Sequence, residues 1–194
     1  MAEMNLIKIQ QPTASAVCKH VELDEEAKSL LQDDAVPAQY LQQLIEKELY
    51  PDAARFLANA LPKREATWWA CLCARNALNN QPSDADLKAI ELAEAWVYKP
   101  TEENRKPIMP AAETTEFKTP AGWAAVAAFW SGGNMSPVEG TVVPPPEDLT
   151  AKAVIGAVML AAVRDGPEKV KTNYQLFLRQ GIDIAGGGDG RSVQ

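Results

Sequence analysis

PAGWAAVAAFW (residues 120–130) and AKAVIGAVMLAAV (residues 151–163) are the two stretches whose reading decides the fold. Both are apolar on nearly every side of a helical wheel. A helix of that kind is surrounded by other helices, because an open side would leave apolar area in water at about 25 cal/mol per Å². The two are therefore expected to form a central pair, with Thr119 and Thr150 as N-caps. Their many alanines and Gly156 permit close backbone approach, and tryptophans fill the remaining volume.

Outward from this pair, the chain reads as amphipathic helices punctuated by proline. Pro37, Pro51, Pro62, Pro82, Pro120 and Pro167 each stand at or just before a helical pattern, where the fixed φ suits a first turn and the missing N–H is no loss. After Pro37, Leu41, Leu44, Ile45 and Leu49 share one face; after Pro51, Ala53, Phe56, Leu57, Ala60 and Leu61 do the same. Ser83 is placed to cap a helix with Leu87, Ile90, Ala93 and Val97 on one side, running up to Pro100. Strand evidence is confined to Leu6, Ile7 and Ile9 and to Val142 and Val143, too little for a sheet. Helix starts near 37, 51, 62, 83, 101, 120, 150 and 167 are unevenly spaced and no motif recurs at a fixed period, which argues against a solenoid. The expected fold is all-α: one compact irregular bundle of about eight short helices over residues 13–184, with the two apolar helices sheathed by amphipathic ones. An N-terminal arm (1–12) precedes it and a flexible Gly-rich tail (185–194) follows.

Two connections are long. TEENRKPIMPAAETTEFK (101–118) begins like a helix at Thr101 and is interrupted by Pro107 and Pro110. SGGNMSPVEGTVVPPPEDL (131–149) joins the central pair, and structureless loops beyond about 12–15 residues are usually functional or disordered. Packing over the bundle is the leading expectation for this loop, a binding role the second.

Composition excludes more than it assigns. A chain of 194 residues, 46% hydrophobic and 23% charged, is ordinary for one globular domain. A net charge of -7 argues against general nucleic-acid binding, which needs a basic surface to displace counterions. No run reaches the roughly 18 apolar residues of a membrane span. MAEMNLIKIQQPT lacks the apolar core of a secretory signal, so a cytoplasmic setting is expected. Three cysteines, an odd number, make no disulfide framework.

Few residues offer chemistry. Cys71 and Cys73 are two apart on a helix, hence about 200° from each other, and cannot share a metal or a disulfide. His20 is the single histidine, with Cys18 nearby but no further ligands and no nucleophile elbow. The acidic groups Asp24, Glu25 and Glu26, Asp33 and Asp34, and Glu102 and Glu103 fall at helix starts or on polar faces. GGGDG (186–190) lacks the Lys-Ser/Thr and the following helix of a phosphate loop. No catalytic residue, metal ligand or cofactor is assigned.

One polar cluster stands out in LPKREATWWACLCARNAL (61–78): Lys63, Arg64 and Glu65 in the first turn, with Arg75 further along. Trp68 and Trp69 are adjacent, about 100° apart, and so are expected to be unequally buried, whereas Trp96, Trp123 and Trp130 read as core. A contact surface is expected to draw on Lys63, Arg64, Glu65, Trp68, Trp69 and Arg75, with Asn134 and Met135 from the long loop.

The segments LPKREATWWACLCARNAL, PTEENR, TPAGWAAVAAFWSGG and VVPPPEDLTAKAVIGAVMLAAV together resemble a bacterial all-helical domain family with no established activity. The match runs in order from about residue 13 to 185, departing only in details such as Lys63 where the family pattern has Arg. The resemblance carries over no catalytic residue. It implies an accessory or adaptor role through association with bacterial type VI secretion gene neighbourhoods. The expected function is a non-enzymatic protein that binds another protein, with no nucleic-acid or membrane partner. The alternative is a histidine-independent enzyme or small-ligand binder using the Arg/Glu/Trp cluster.

Overall fold

The computed structural model describes residues 4–78, 82–136 and 140–193. The helices in these residues are α1 Ala14–Val17, α2 Glu25–Leu30, α3 Pro37–Glu46, α4 Tyr50–Ala60, α5 Lys63–Asn76 and α6 Asp84–Tyr98. They continue with α7 Glu102–Arg105, α8 Ile108–Thr114, α9 Pro120–Trp130, α10 Leu149–Val163 and α11 Val170–Ala185. No strand occurs among the described residues, and the chain is all-α as its periodicity predicts.

Local chemistry explains most helix starts. α3, α4 and α9 carry proline in their first two positions, and Pro62 and Pro107 precede α5 and α8. The side chains of Ser83, Thr101 and Thr119 accept from the amides of Asp86, Asn104 and Gly122. Thr150 does not cap. The Leu149 amide is already turned onto the Pro146 carbonyl, so α10 opens at Leu149, two residues before the start a Thr150 cap would give. The Thr150 hydroxyl instead donates to the Trp130 carbonyl at 3.1 Å, tying the end of α9 to the start of α10. The interrupted stretch 101–118 resolves into α7 and α8, with Pro110 in the first turn of α8, where no N–H is missed.

α9 and α10 pack most extensively on each other and both pack on α5, with α4, α6, α8 and α11 around them. The approach is close: a Cβ on Gly156 would lie 3.1 Å from the Trp123 ring. One side of the pair stays partly open, leaving Trp123, Trp130, Ile155 and Met159 half-buried and Val163 exposed. The two tryptophans expected in the core therefore sit at its edge, where the Trp123 indole N–H donates to the Phe117 carbonyl at 2.9 Å. The longest continuously buried run lies in α5, from Ala66 to Ala74. Trp69 is inaccessible, and its indole N–H donates to the Phe177 carbonyl of α11 at 2.7 Å.

The loop between α9 and α10 is organised by Asn134. Its side-chain oxygen accepts from the Ser136 and Val143 amides at 3.0 and 2.7 Å, and its amide donates to the Thr141 carbonyl at 2.6 Å. The Met135 amide donates to the Val143 carbonyl. The rest of the expectation for this loop falls partly on residues 137–139, outside the described residues.

The ends of the chain also pack. The Lys8 amide donates to the Ala185 carbonyl at 2.9 Å. The tail expected as a flexible extension turns back onto α5 and α11. The Gly188 amide donates to the Asp183 carbonyl and the Gly190 amide to Asp183 Oδ2, each at 2.8 Å. Gly187 and Gly190 take φ of 98° and 72°, so the glycines that suggested looseness supply left-handed turns.

Candidate functional site

Arg64 and Glu65 stand in the first turn of α5 with Trp68 one turn on, and the fold brings other elements to them. The end of α6 supplies Val97 and Tyr98, the N-terminal arm supplies Lys8, and the tail supplies Asp189 and Arg191. Together they line a surface cleft of about 330 Å³.

Trp68 forms its floor, only 9% exposed, and donates its indole N–H to the Asp189 carbonyl at 2.8 Å. The Tyr98 ring lies 5.8 Å from the Trp68 ring at 56° and remains 61% exposed. The Arg191 guanidinium sits over the indole, 4.7 Å from its centre, and Nη2 donates to the Tyr98 hydroxyl. Arg64 Nε donates to the Val97 carbonyl at 2.6 Å, satisfying one of the last carbonyls of α6. Lys8 pairs with Glu65 at 3.0 Å.

The other residues expected in a contact surface go elsewhere. Trp69 is in the core, on the opposite side of α5 from solvent. Arg75 forks onto Glu94 of α6 at 2.9 and 2.7 Å, a link between helices. Lys63 lines a separate groove of about 470 Å³ with His20, Asp148 and Thr150. Asn134 and Met135 belong to the loop, where the Asn134 carbonyl accepts from Arg105 Nη2 at 3.2 Å. Sequence reasoning missed Lys8, Tyr98, Asp189 and Arg191. The usable signals were Tyr98, which is absent from the inward face of its helix, and the spaced glycines before Arg191, which mark turns as readily as disorder.

The ionisable groups have the signature of ion pairing. Glu25, Glu102 and Asp148 are held below the usual carboxylate range, each first by a hydrogen bond, from Lys28, Arg105 and Lys152 respectively. That is the opposite sense to a general acid, whose carboxyl is raised. Burial pushes the Cys18 thiol up to about 11, and full burial pushes Cys71 and Cys73 higher still. All three are thus protonated at neutral pH. Among the described residues, no group of three or more His, Cys, Asp or Glu could hold a metal ion, and no helix is long and apolar enough to cross a membrane.

Fold and site place the molecule among all-helical domains with a small aromatic and cationic cleft. The chain belongs to the family described as Family of unknown function (DUF6931), whose model matches residues 40–185. That span holds Arg64, Glu65, Trp68, Val97 and Tyr98 and leaves out Lys8, Asp189 and Arg191. No curated protein and no solved structure matches the chain significantly.

Proposed function

We propose that this is a non-enzymatic accessory protein that binds another protein through the Trp68–Tyr98 cleft. The observation that supports this reading is the exposed Tyr98 ring set against Trp68 in a cleft that Arg64 and Arg191 also line. Trp, Tyr and Arg are the residues on which interface hot spots concentrate. Their side chains are already ordered by hydrogen bonds within the chain, which reduces the entropy lost on docking. A setting beside bacterial type VI secretion machinery, implied by the sequence resemblance, is part of the proposal. Persistent adjacency of its gene to that machinery is the expected observation.

Affinity capture from the native host tests the cleft directly. Tagged wild-type protein should retain a defined stoichiometric partner that Tyr98→Glu loses and that Lys171→Glu, outside the cleft, keeps. Equal recovery by wild type and Tyr98→Glu would overturn the proposal.

A further inference from the structure

We infer that the Trp68–Tyr98 cleft reads an acidic peptide segment, seating a carboxylate between Arg64 and Arg191. This inference rests on the protein-binding reading of the same site and names the partner's chemistry. Three observations carry it.

The first is the state of the two guanidiniums. Arg55, Arg75 and Arg105 each hold a carboxylate of the chain itself. Arg64 and Arg191 instead hold a backbone carbonyl and a tyrosine hydroxyl, and neither has a carboxylate partner among the described residues. Each is fixed through one nitrogen, which leaves further N–H donors of a planar fork free for an oxyanion. The indole face under Arg191 and the Val97 carbonyl under Arg64 hold the forks in place before any partner arrives.

The second is where Arg64 stands. It occupies the first turn of the 14-residue α5, whose N-terminus has no side-chain cap. A cation there gains nothing from the α5 macrodipole, and what anchors it is the Val97 carbonyl at the end of α6. An anion beside Arg64 would gain from the α5 dipole and from the guanidinium together. The third is the disposition of the two acidic groups in the cleft. Glu65 is neutralised by Lys8, and Asp189 Oδ1 accepts from the Arg191 amide at 3.0 Å. With Lys8, Arg64 and Arg191 against these two, the cleft is locally cationic on a chain whose net charge is -7. The acidic remainder of the surface acts only weakly across a Debye length of about 10 Å at 0.1 M salt, so the local charges decide. Apolar side chains flanking the partner's carboxylate would rest on Tyr98.

The test uses full-length protein and fluorescein-labelled peptides of Glu, Leu and Gly, with Gln-for-Glu and Lys-for-Glu counterparts. The Glu peptide should bind, shift the Trp68 indole N–H resonance, and weaken as salt rises. The Gln peptide should bind about tenfold more weakly, as should the Glu peptide to Arg64→Gln or to Arg191→Gln, since charge-assisted hydrogen bonds are the stronger kind. Both variants lie at the surface, and an unchanged unfolding temperature shows that they remain folded. Equal binding of Glu and Gln peptides, preference for the Lys peptide, no binding of any peptide, or indifference to both arginine variants would each overturn the inference. Failure here with Tyr98-dependent capture intact would remove only the acidic chemistry. Glu-peptide binding without such capture would remove only the physiological protein partner.

Discussion

Arg105 is 3% exposed and charged, so its surroundings must meet it almost completely. Its fork takes both oxygens of Glu102 at 2.7 and 2.8 Å, Nη1 donates to the Phe129 carbonyl, and the guanidinium lies 4.4 Å from the Phe129 ring centre. Gly133, at φ 73°, admits it, since a Cβ there would fall 2.2 Å from Arg105 Nε. Glu102→Gln should lower stability by about 1–2 kcal/mol at pH 7, a value discounted because the Glu102 side chain is half-exposed. Because the folded-state pKa of Glu102 is depressed, the pair's contribution is present above the ordinary carboxylate range and lost as pH falls through the lowered value. Urea unfolding of wild type and variant should therefore show a gap at pH 7 that closes in acid; a gap that persists would rule out the ion pair as its cause. The same scale governs the thiols: Cys71 and Cys73 should resist a thiol reagent until the chain unfolds, and all three cysteines should react in denaturant. PTEENR was legible as a motif, and Thr101 was recognisable as a helix start. That Arg105 reaches Asn134 was not legible, because nothing local to either residue encodes a contact 29 positions away.

At the scale of elements, the seat of α11 on α5 and α4 turns on one missing methyl. A Cβ on Gly181 would lie 2.6 Å from Leu57 and 2.9 Å from the Trp69 ring. Intrinsic propensity favours Ala over Gly inside a helix by about 1 kcal/mol, whereas overpacking a core costs roughly 1–3 kcal/mol. Gly181→Ala should therefore destabilise the protein in thermal or urea unfolding, and a stabilised variant would show that the helices separate easily. The turn from α8 to α9 carries the opposite opportunity. Glu116 and Phe117 both have left-handed φ, 53° and 54°. Glu116 is exposed and pairs with exposed Lys118, so Glu116→Gly should raise the unfolding free energy by about 0.5–1 kcal/mol as the steric strain is relieved. Helix starts were readable because Ser83, Thr101, Thr119 and the prolines act locally. Trp96 is buried as its helix face predicted, but the burial of Trp123 and Trp130 was not readable, because apolar periodicity marks which faces avoid water without saying which neighbouring helix covers them. Thus α9 and α10, apolar all round, leave Trp123 and Trp130 half-open, while the less apolar α5 is enclosed.

Across the whole molecule, the cleft is closed by parts of the chain distant in sequence. Lys8 comes from the arm and Asp189 and Arg191 from the tail, both outside the family-matched span 40–185, whereas the aromatic floor and Arg64 lie within it. The helices thus supply the aromatic platform and Arg64, and the flanking segments supply Lys8, Asp189 and Arg191. Truncation after Ala185 makes the separation measurable. It removes the Asp189 carbonyl from the Trp68 indole and the Arg191 guanidinium from its face, contacts together worth about 1–3 kcal/mol. Helix content should stay nearly unchanged, since α11 ends at Ala185 and its contacts with α4, α5 and α10 lie within the helix. Tryptophan emission should shift to the red and become more sensitive to acrylamide, because Trp68 is the indole that loses its cover. Unaltered quenching would mean that the tail does not shield Trp68 in solution, whereas collapse of the helical signal would make the tail part of the folding unit rather than a wall of the cleft.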